Sequence, residues 1–158
     1  MNGSINWKGI GFSFMLQGVG KTDKYLSHDL AFPYYYDLGS IFNYQIDYWT
    51  HQYSNCEFPR LYQTGTRNSN YSANIRTQTK YLTNGAYMRV KNLTLAYTFS
   101  NELIKHFGIS NLRIYATGEN LFTFDHLPKG LDPTLSNKGG GMGYPFMKSY
   151  SFGLSITL

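Results

Sequence analysis

Apolar and polar residues alternate through the last thirteen positions of the chain, Phe-Met-Lys-Ser-Tyr-Ser-Phe-Gly-Leu-Ser-Ile-Thr-Leu, residues 146–158. Phe146, Tyr150, Phe152, Leu154, Ile156 and Leu158 share one parity, and Met147, Ser149, Ser151, Gly153, Ser155 and Thr157 the other. A period of two predicts a strand with one greasy face and one small, polar face. Such a face is buried either under a second layer or in lipid. The same alternation predicts a strand over about 10–19, with Ile10, Phe12, Phe14 and Leu16 on the apolar side, preceded by a Lys8-Gly9 turn and a stub of strand over residues 1–7. It predicts another over about 86–99, where Leu93, Leu95, Tyr97 and Phe99 line up, and a third over about 112–124, with Leu112, Ile114, Ala116, Phe122 and Phe124.

By parity Arg89 and Lys91 continue the apolar face of the second long strand. A charge at the middle of a bilayer costs about 2–4 kcal/mol but little at its rim, so these two are expected at the rim beside anionic head groups. The alternative is a bulge near Lys91 that reverses the parity. Residues 100–108 read as one or two helical turns that start at Ser100, set Leu103 and Phe107 on one side and stop at Gly108. The periodicity is lost over about 20–85 and 125–145, where Tyr, Asn, Ser, Gly and Pro dominate and the Gly139-Gly140-Gly141 run falls. Long connections alternating with short ones are the habit of outer-membrane barrels.

The expected fold is therefore all-β: an antiparallel meander of four long strands plus an N-terminal stub, with one short helical turn on the periplasmic side. Spanning strands need about 9–11 residues, which these segments supply. Four strands and a stub do not close, since the smallest such barrels use about eight. The pattern thus leaves three readings: a segment of a larger barrel, a soluble carbohydrate-binding β-sandwich, or a small autonomous barrel.

Composition sharpens this picture. Aromatic residues make up 18% of the chain, with 15 tyrosines and 11 phenylalanines, while charged residues make up only 15%; that balance favours sheets and interfaces over exposed helices. The net charge is +5, but Lys and Arg are scattered and form no run that would track a phosphate backbone, so no nucleic-acid partner is expected. Cys56 stands alone, which excludes an internal disulfide and a multi-thiolate metal site. No run of about eighteen apolar residues exists to form a transmembrane helix. The first residues lack the charged leader and apolar core of a signal peptide, so an exported protein is expected to carry further residues ahead of Met1. His28, His51, His106 and His126 show no metal-ligand spacing, and there is no nucleophile elbow or phosphate-binding loop. No enzyme activity, metal or cofactor is expected.

Several strings resemble the carboxyl-terminal region of SusC/RagA-type TonB-linked outer-membrane transporters: Phe14-Met-Leu-Gln-Gly-Val-Gly-Lys21, Asp47-Tyr-Trp-Thr50, Phe58-Pro-Arg-Leu61, Tyr87-Met-Arg-Val-Lys-Asn-Leu-Thr-Leu-Ala-Tyr97, Leu112-Arg-Ile-Tyr-Ala-Thr-Gly-Glu-Asn-Leu-Phe122, Gly130-Leu-Asp-Pro133 and Tyr144-Pro-Phe-Met-Lys-Ser-Tyr-Ser-Phe-Gly153. The resemblance covers nearly the whole chain. It implies a segment of a transmembrane β-barrel of about 22 strands in the cell outer membrane. It also implies nutrient import of glycans or peptides beneath a SusD-like surface lipoprotein, with energy from the TonB complex. The plug domain and the TonB box of that family are not found here. Among site residues, Phe152, Gly153, Ile156 and Leu158 resemble the outer-membrane insertion signal, an edge strand that assembly machinery captures by strand addition. Tyr150 and Leu154, with the apolar residues of the other three strands, are expected to face lipid. The long loop carries Tyr34, Tyr35, Tyr36, Tyr44, Tyr48, Trp49 and Tyr53. Of these, Tyr48, Trp49 and Tyr53 are candidate contacts to substrate or partner, against the alternative that they pack the loop on itself.

Overall fold

The computed structural model describes residues 1–33, 41–62, 69–135, 144 and 146–158. Tyr34, Tyr35, Tyr36 and the Gly139–Gly141 run lie outside the described residues. Five strands form one antiparallel sheet: β1 (Asn2–Trp7), β2 (Ile10–Val19), β5 (Tyr87–Thr98), β6 (Asn111–Asp125) and β7 (Ser149–Thr157), in the order β1-β2-β5-β6-β7. Two short strands, β3 (Asp23–Tyr25) and β4 (Leu82–Asn84), pair with each other in a separate ribbon. The chain divides into two units. The sheet unit comprises residues 1–20, 86–125 and 146–158; the loop unit comprises residues 21–85 and 126–145.

Chemistry at the turns sets up the sheet. Lys8 and Gly9 both take positive φ, 46° and 85°, which closes a two-residue hairpin between Trp7 and Ile10 with the twist that strands need. A short helix, α1 (Ser69–Asn74), lies in the loop unit, and between β5 and β6 lies the expected helical turn, α2 (Asn101–Ile104), continued as a 3-10 turn over Lys105–Phe107. Gly108 ends it at φ 70°, a left-handed position that suits glycine. The residue it buries is Ile104, while Leu103 and Phe107 stay exposed.

Register places the side chains. Ile10, Phe12, Phe14 and Leu16 lie opposite Tyr97, Leu95, Leu93 and Val90. Those in turn meet Ile114, Ala116, Gly118 and Phe122. Leu112, Ile114, Ala116 and Gly118 then meet Ile156, Leu154, Phe152 and Tyr150. Phe124 pairs with Met88, and the Phe99 N–H extends the ladder to the Leu112 carbonyl at 2.9 Å. One face of the sheet is thus apolar from β2 to β7. The opposite face carries Ser13, Gln17, Thr94, Asn92, Arg89, Arg113, Thr117, Glu119 and Ser151.

The sequence parity of Arg89 and Lys91 is corrected by a bulge. At one level of the sheet β2 advances one residue (Met15 to Leu16), β5 two (Asn92 to Val90) and β6 three (Glu119 to Phe122). The extra residue on β5 is Lys91, and it turns Arg89 to the polar face opposite Gln17 and Thr123. Arg89 is only 3% exposed there, and its Nε donates to Thr123 Oγ1 at 2.9 Å. The closing strand also starts later than the alternation implies, at Ser149. Phe146 lies ahead of it, and its ring takes two cations, with the Arg89 guanidinium 5.3 Å and the Lys91 ammonium 4.4 Å from its centroid.

The loop unit has its own core, formed by Leu26, Leu30, Ala31, Phe32, Phe58 and Tyr81, with Tyr25, Phe42, Tyr44, Tyr48, Ile75 and Leu131 packed around it.

Candidate functional site

Two surfaces carry the functional question: the apolar face of the sheet and a groove in the loop unit. Among the described residues, no second layer covers the apolar side chains of the sheet. Phe152 is 84% exposed and Leu158, just beyond the end of β7, 88%. Phe12, Leu95, Tyr97, Ile114, Phe122, Phe124, Tyr150, Leu154 and Ile156 are exposed as well. Burying a Leu or Phe side chain is worth about 1.5–3 kcal/mol, so a face of this size left in water costs on the order of 10 kcal/mol, as much as the whole stability of a domain. A sandwich would place a second sheet there, and among the described residues the sheet unit has none. Small residues on the polar face have a packing task. Gly153 sits directly across from Tyr115, whose ring lies where a Cβ at position 153 would project. On the apolar face Gly3 does the same for its partner Phe14, whose Cζ would be 2.8 Å from an added Cβ.

In the loop unit, the two strings Asp47-Tyr-Trp-Thr50 and Phe58-Pro-Arg-Leu61 bind each other through the backbone. The Trp49 N–H donates to the Phe58 carbonyl at 3.0 Å and the Phe58 N–H to the Asp47 carbonyl at 2.9 Å. Of the three candidate contacts, Tyr48 is packed against the loop core and Tyr53 is exposed away from the groove. Trp49 lines a polar groove of about 620 Å³ with Glu57, Arg60, Tyr62, Gln78 and Lys80. The Arg60 guanidinium lies 5.8 Å from the Trp49 ring centre and 5.7 Å from that of Tyr62. Lys80 donates to the Glu57 carbonyl and lies 5.8 Å above the Phe58 ring. A second cavity of about 400 Å³, walled by Leu26, Leu30, Tyr44, Leu127 and Pro128, shares Glu57, Phe58, Lys80 and Tyr81 with the groove.

Buried polar groups fix these walls. Gln45 is fully buried; its Nε2 donates to the Asp29 carbonyl at 2.7 Å and its Oε1 accepts from the Phe42 N–H at 2.9 Å. The Tyr44 hydroxyl donates to the Leu30 carbonyl at 2.6 Å, and burial pushes its pKa well above the ordinary tyrosine value. Tyr81 is raised too, first by burial and then by neighbouring Tyr25 and Glu57. The Lys24 ammonium donates to the carbonyls of Asp132, Pro133 and Leu135 at 3.2, 3.3 and 2.8 Å, tying the Gly130-Leu-Asp-Pro133 string to β3. Desolvation lowers its pKa, and the Asp132 carboxylate partly opposes that. Arg60, Lys80 and the second cavity were not singled out from the sequence. An Arg two residues after a Cys-Glu-Phe string has no pattern that marks it, and only the fold brings it over Trp49.

A one-layered antiparallel sheet whose apolar side is uncovered and whose other side is polar is built as the wall of a transmembrane β-barrel. The comparisons with known proteins agree. The chain is 30% identical over 93 residues to TonB-dependent receptor P3 of Formosa agariphila, which covers 51% of this chain and 9% of that receptor. It is 26% identical over 171 aligned residues to TonB-dependent receptor P26 of the same organism, covering 98% of this chain and 16% of the receptor. Among solved structures, its fold matches the RagAB peptide transporter with a TM-score of 0.65 and 24% identity over 96% of this chain and 16% of that one. It matches the RagAB peptide importer in its open-open state with a TM-score of 0.60. No family model matches the chain. The chain is thus similar to a segment of TonB-dependent receptors, and its fold is similar to that of part of the RagAB peptide transporter. It spans about a tenth to a sixth of the length of these relatives. By name they are receptors and transporters, not enzymes.

Proposed function

We propose that this chain is a stretch of barrel wall, with two external loops, from a TonB-dependent outer-membrane transporter that imports glycans or peptides together with a SusD-like lipoprotein. The observation that carries the reading is the apolar face running unbroken from β2 to β7 with none of the described residues laid over it as a second layer. Lipid is the cover that such a face lacks, and the polar face then lines the interior. The long insertions after β2 and β6 leave from the same end of the sheet, because Val19, Tyr87 and Asp125 are register partners; that end is the cell exterior, and the α2 turn is periplasmic. The TonB complex acts through parts of the transporter beyond these strands. The names of the relatives, receptors and a peptide transporter, support the class.

The test is Phe152→Arg in the full-length parent. An arginine in the middle of the lipid-facing strip costs about 2–4 kcal/mol, so the variant is expected to be lost from the outer membrane, whereas Ser151→Arg on the interior face is retained. Equal outer-membrane levels of both variants refute the proposal.

A further inference from the structure

We infer that the groove of the loop unit and the cavity beside it form one two-part site for an acidic peptide segment, with a carboxylate held by Arg60 and a neighbouring apolar side chain seated between Leu26, Leu30 and Leu127. This rests on the transporter reading and narrows its substrate class. Arg60 lies over two aromatic faces at once, so its planar fork is already oriented and little freedom is lost when an anion docks. None of the described carboxylates pairs with it. Two cations, Arg60 and Lys80, against one carboxylate, Glu57, leave the groove lining at +1, which suits a single carboxylate and disfavours a polyanion.

The same geometry argues against a sugar. Stacking of a pyranose needs an open aromatic face; Trp49 has a guanidinium over its ring, and Tyr48 is packed on the core. The adjoining cavity sets an aliphatic wall of Leu26, Leu30, Leu127 and Pro128 beside the polar groups of Glu57, Lys80, Thr83 and His126, and that wall rewards a Leu- or Phe-like side chain. Lys80 and Glu57, which line both cavities, sit where a peptide backbone would cross from one to the other. A backbone has donors and acceptors for both.

The experiment uses the intact parent transporter in detergent and dye-labelled, end-blocked heptapeptides on a Gly/Ser frame carrying Glu and Leu, Gln and Leu, or Glu and Ser, with a trigalacturonate as the saccharide probe. The Glu/Leu peptide is expected to bind about tenfold more tightly than either of the others, the worth of one charge-assisted contact. Arg60→Gln is expected to remove the preference for Glu over Gln while leaving the preference for Leu over Ser, and Arg60→Lys to restore part of it. Equal binding of the Glu and Gln peptides, no binding by any peptide, a Glu preference that survives Arg60→Gln, or tighter binding of the trigalacturonate each overturns the assignment. These failures are separate from loss of the transporter reading, which is decided by the outer-membrane levels of the Phe152 and Ser151 variants.

Discussion

Gly153 shows how a single position joins local chemistry to assembly. It falls within the terminal string that resembles an insertion signal, yet in the fold it is the platform for the Tyr115 ring across the strand pair. A side chain at 153 forces that ring aside. Gly153→Val is therefore expected to lower the stability of the parent barrel by about 1–3 kcal/mol, the usual cost of overpacking, and Tyr115→Ala in the same molecule to return much of it. Thermal unfolding of the two single variants and the double variant measures the coupling; additive losses contradict the contact. The alternation marked Gly153 as an interior position without showing its purpose, because cross-strand partners depend on a register that residues near 153 do not encode alone. Trp49 was legible as an aromatic with a polar edge, but its partner Arg60 was not, since their approach depends on the backbone pairing of two loop strings.

At the scale of the element, the strands were legible because their period is two and each is long enough to repeat it. β2 spans Ile10–Val19 as the alternation predicts, and β5 and β6 differ from prediction by a residue at their ends. What alternation alone misreads is a change of phase. The stepped bulge around Lys91 keeps Arg89 off the apolar face, and Asn120 supports it from β6 with a left-handed φ of 52° and a hydrogen bond from Nδ2 to the Met147 carbonyl at 3.0 Å. Bulges of this kind re-aim side chains near barrel rims. A β-branched residue in that conformation is strained by roughly 1–3 kcal/mol, whereas glycine is at ease. Asn120→Val is accordingly expected to lower the unfolding midpoint of the parent well below that of Asn120→Gly, and equal midpoints contradict the strained turn. In the loop unit, β3, β4 and the 3-10 turns at His28–Leu30, Asn43–Gln45 and Thr79–Tyr81 are three residues each. That is too short to print a period, so residues 20–85 read as featureless despite the core they enclose.

Across the whole molecule, the two units are stabilised by different means. The loop unit buries Leu26, Leu30, Phe32 and Tyr81 in a small core and satisfies its inner polar groups through Gln45, Tyr44 and Lys24. The sheet unit instead leaves its hydrophobic side bare, with β1 and β7 at unpaired edges among the described residues. That arrangement is costly in water and natural in lipid, with the edges paired to further strands of a barrel. Composition and alternation made this class readable from the chain itself, because every apolar residue expected on the lipid side, Phe146 aside, keeps that parity in the fold. The groove was not readable, since it is assembled from segments far apart in sequence. The most direct test is a cysteine scan of β7 in a Cys56→Ser parent reconstituted in bilayers. Cysteines at Tyr150, Phe152, Leu154 and Ile156 are expected to carry probes quenched by brominated lipid and shielded from a water-soluble maleimide, and those at Ser151, Ser155 and Thr157 to show the reverse. A scan without that two-residue period, or with its phase inverted, contradicts the account.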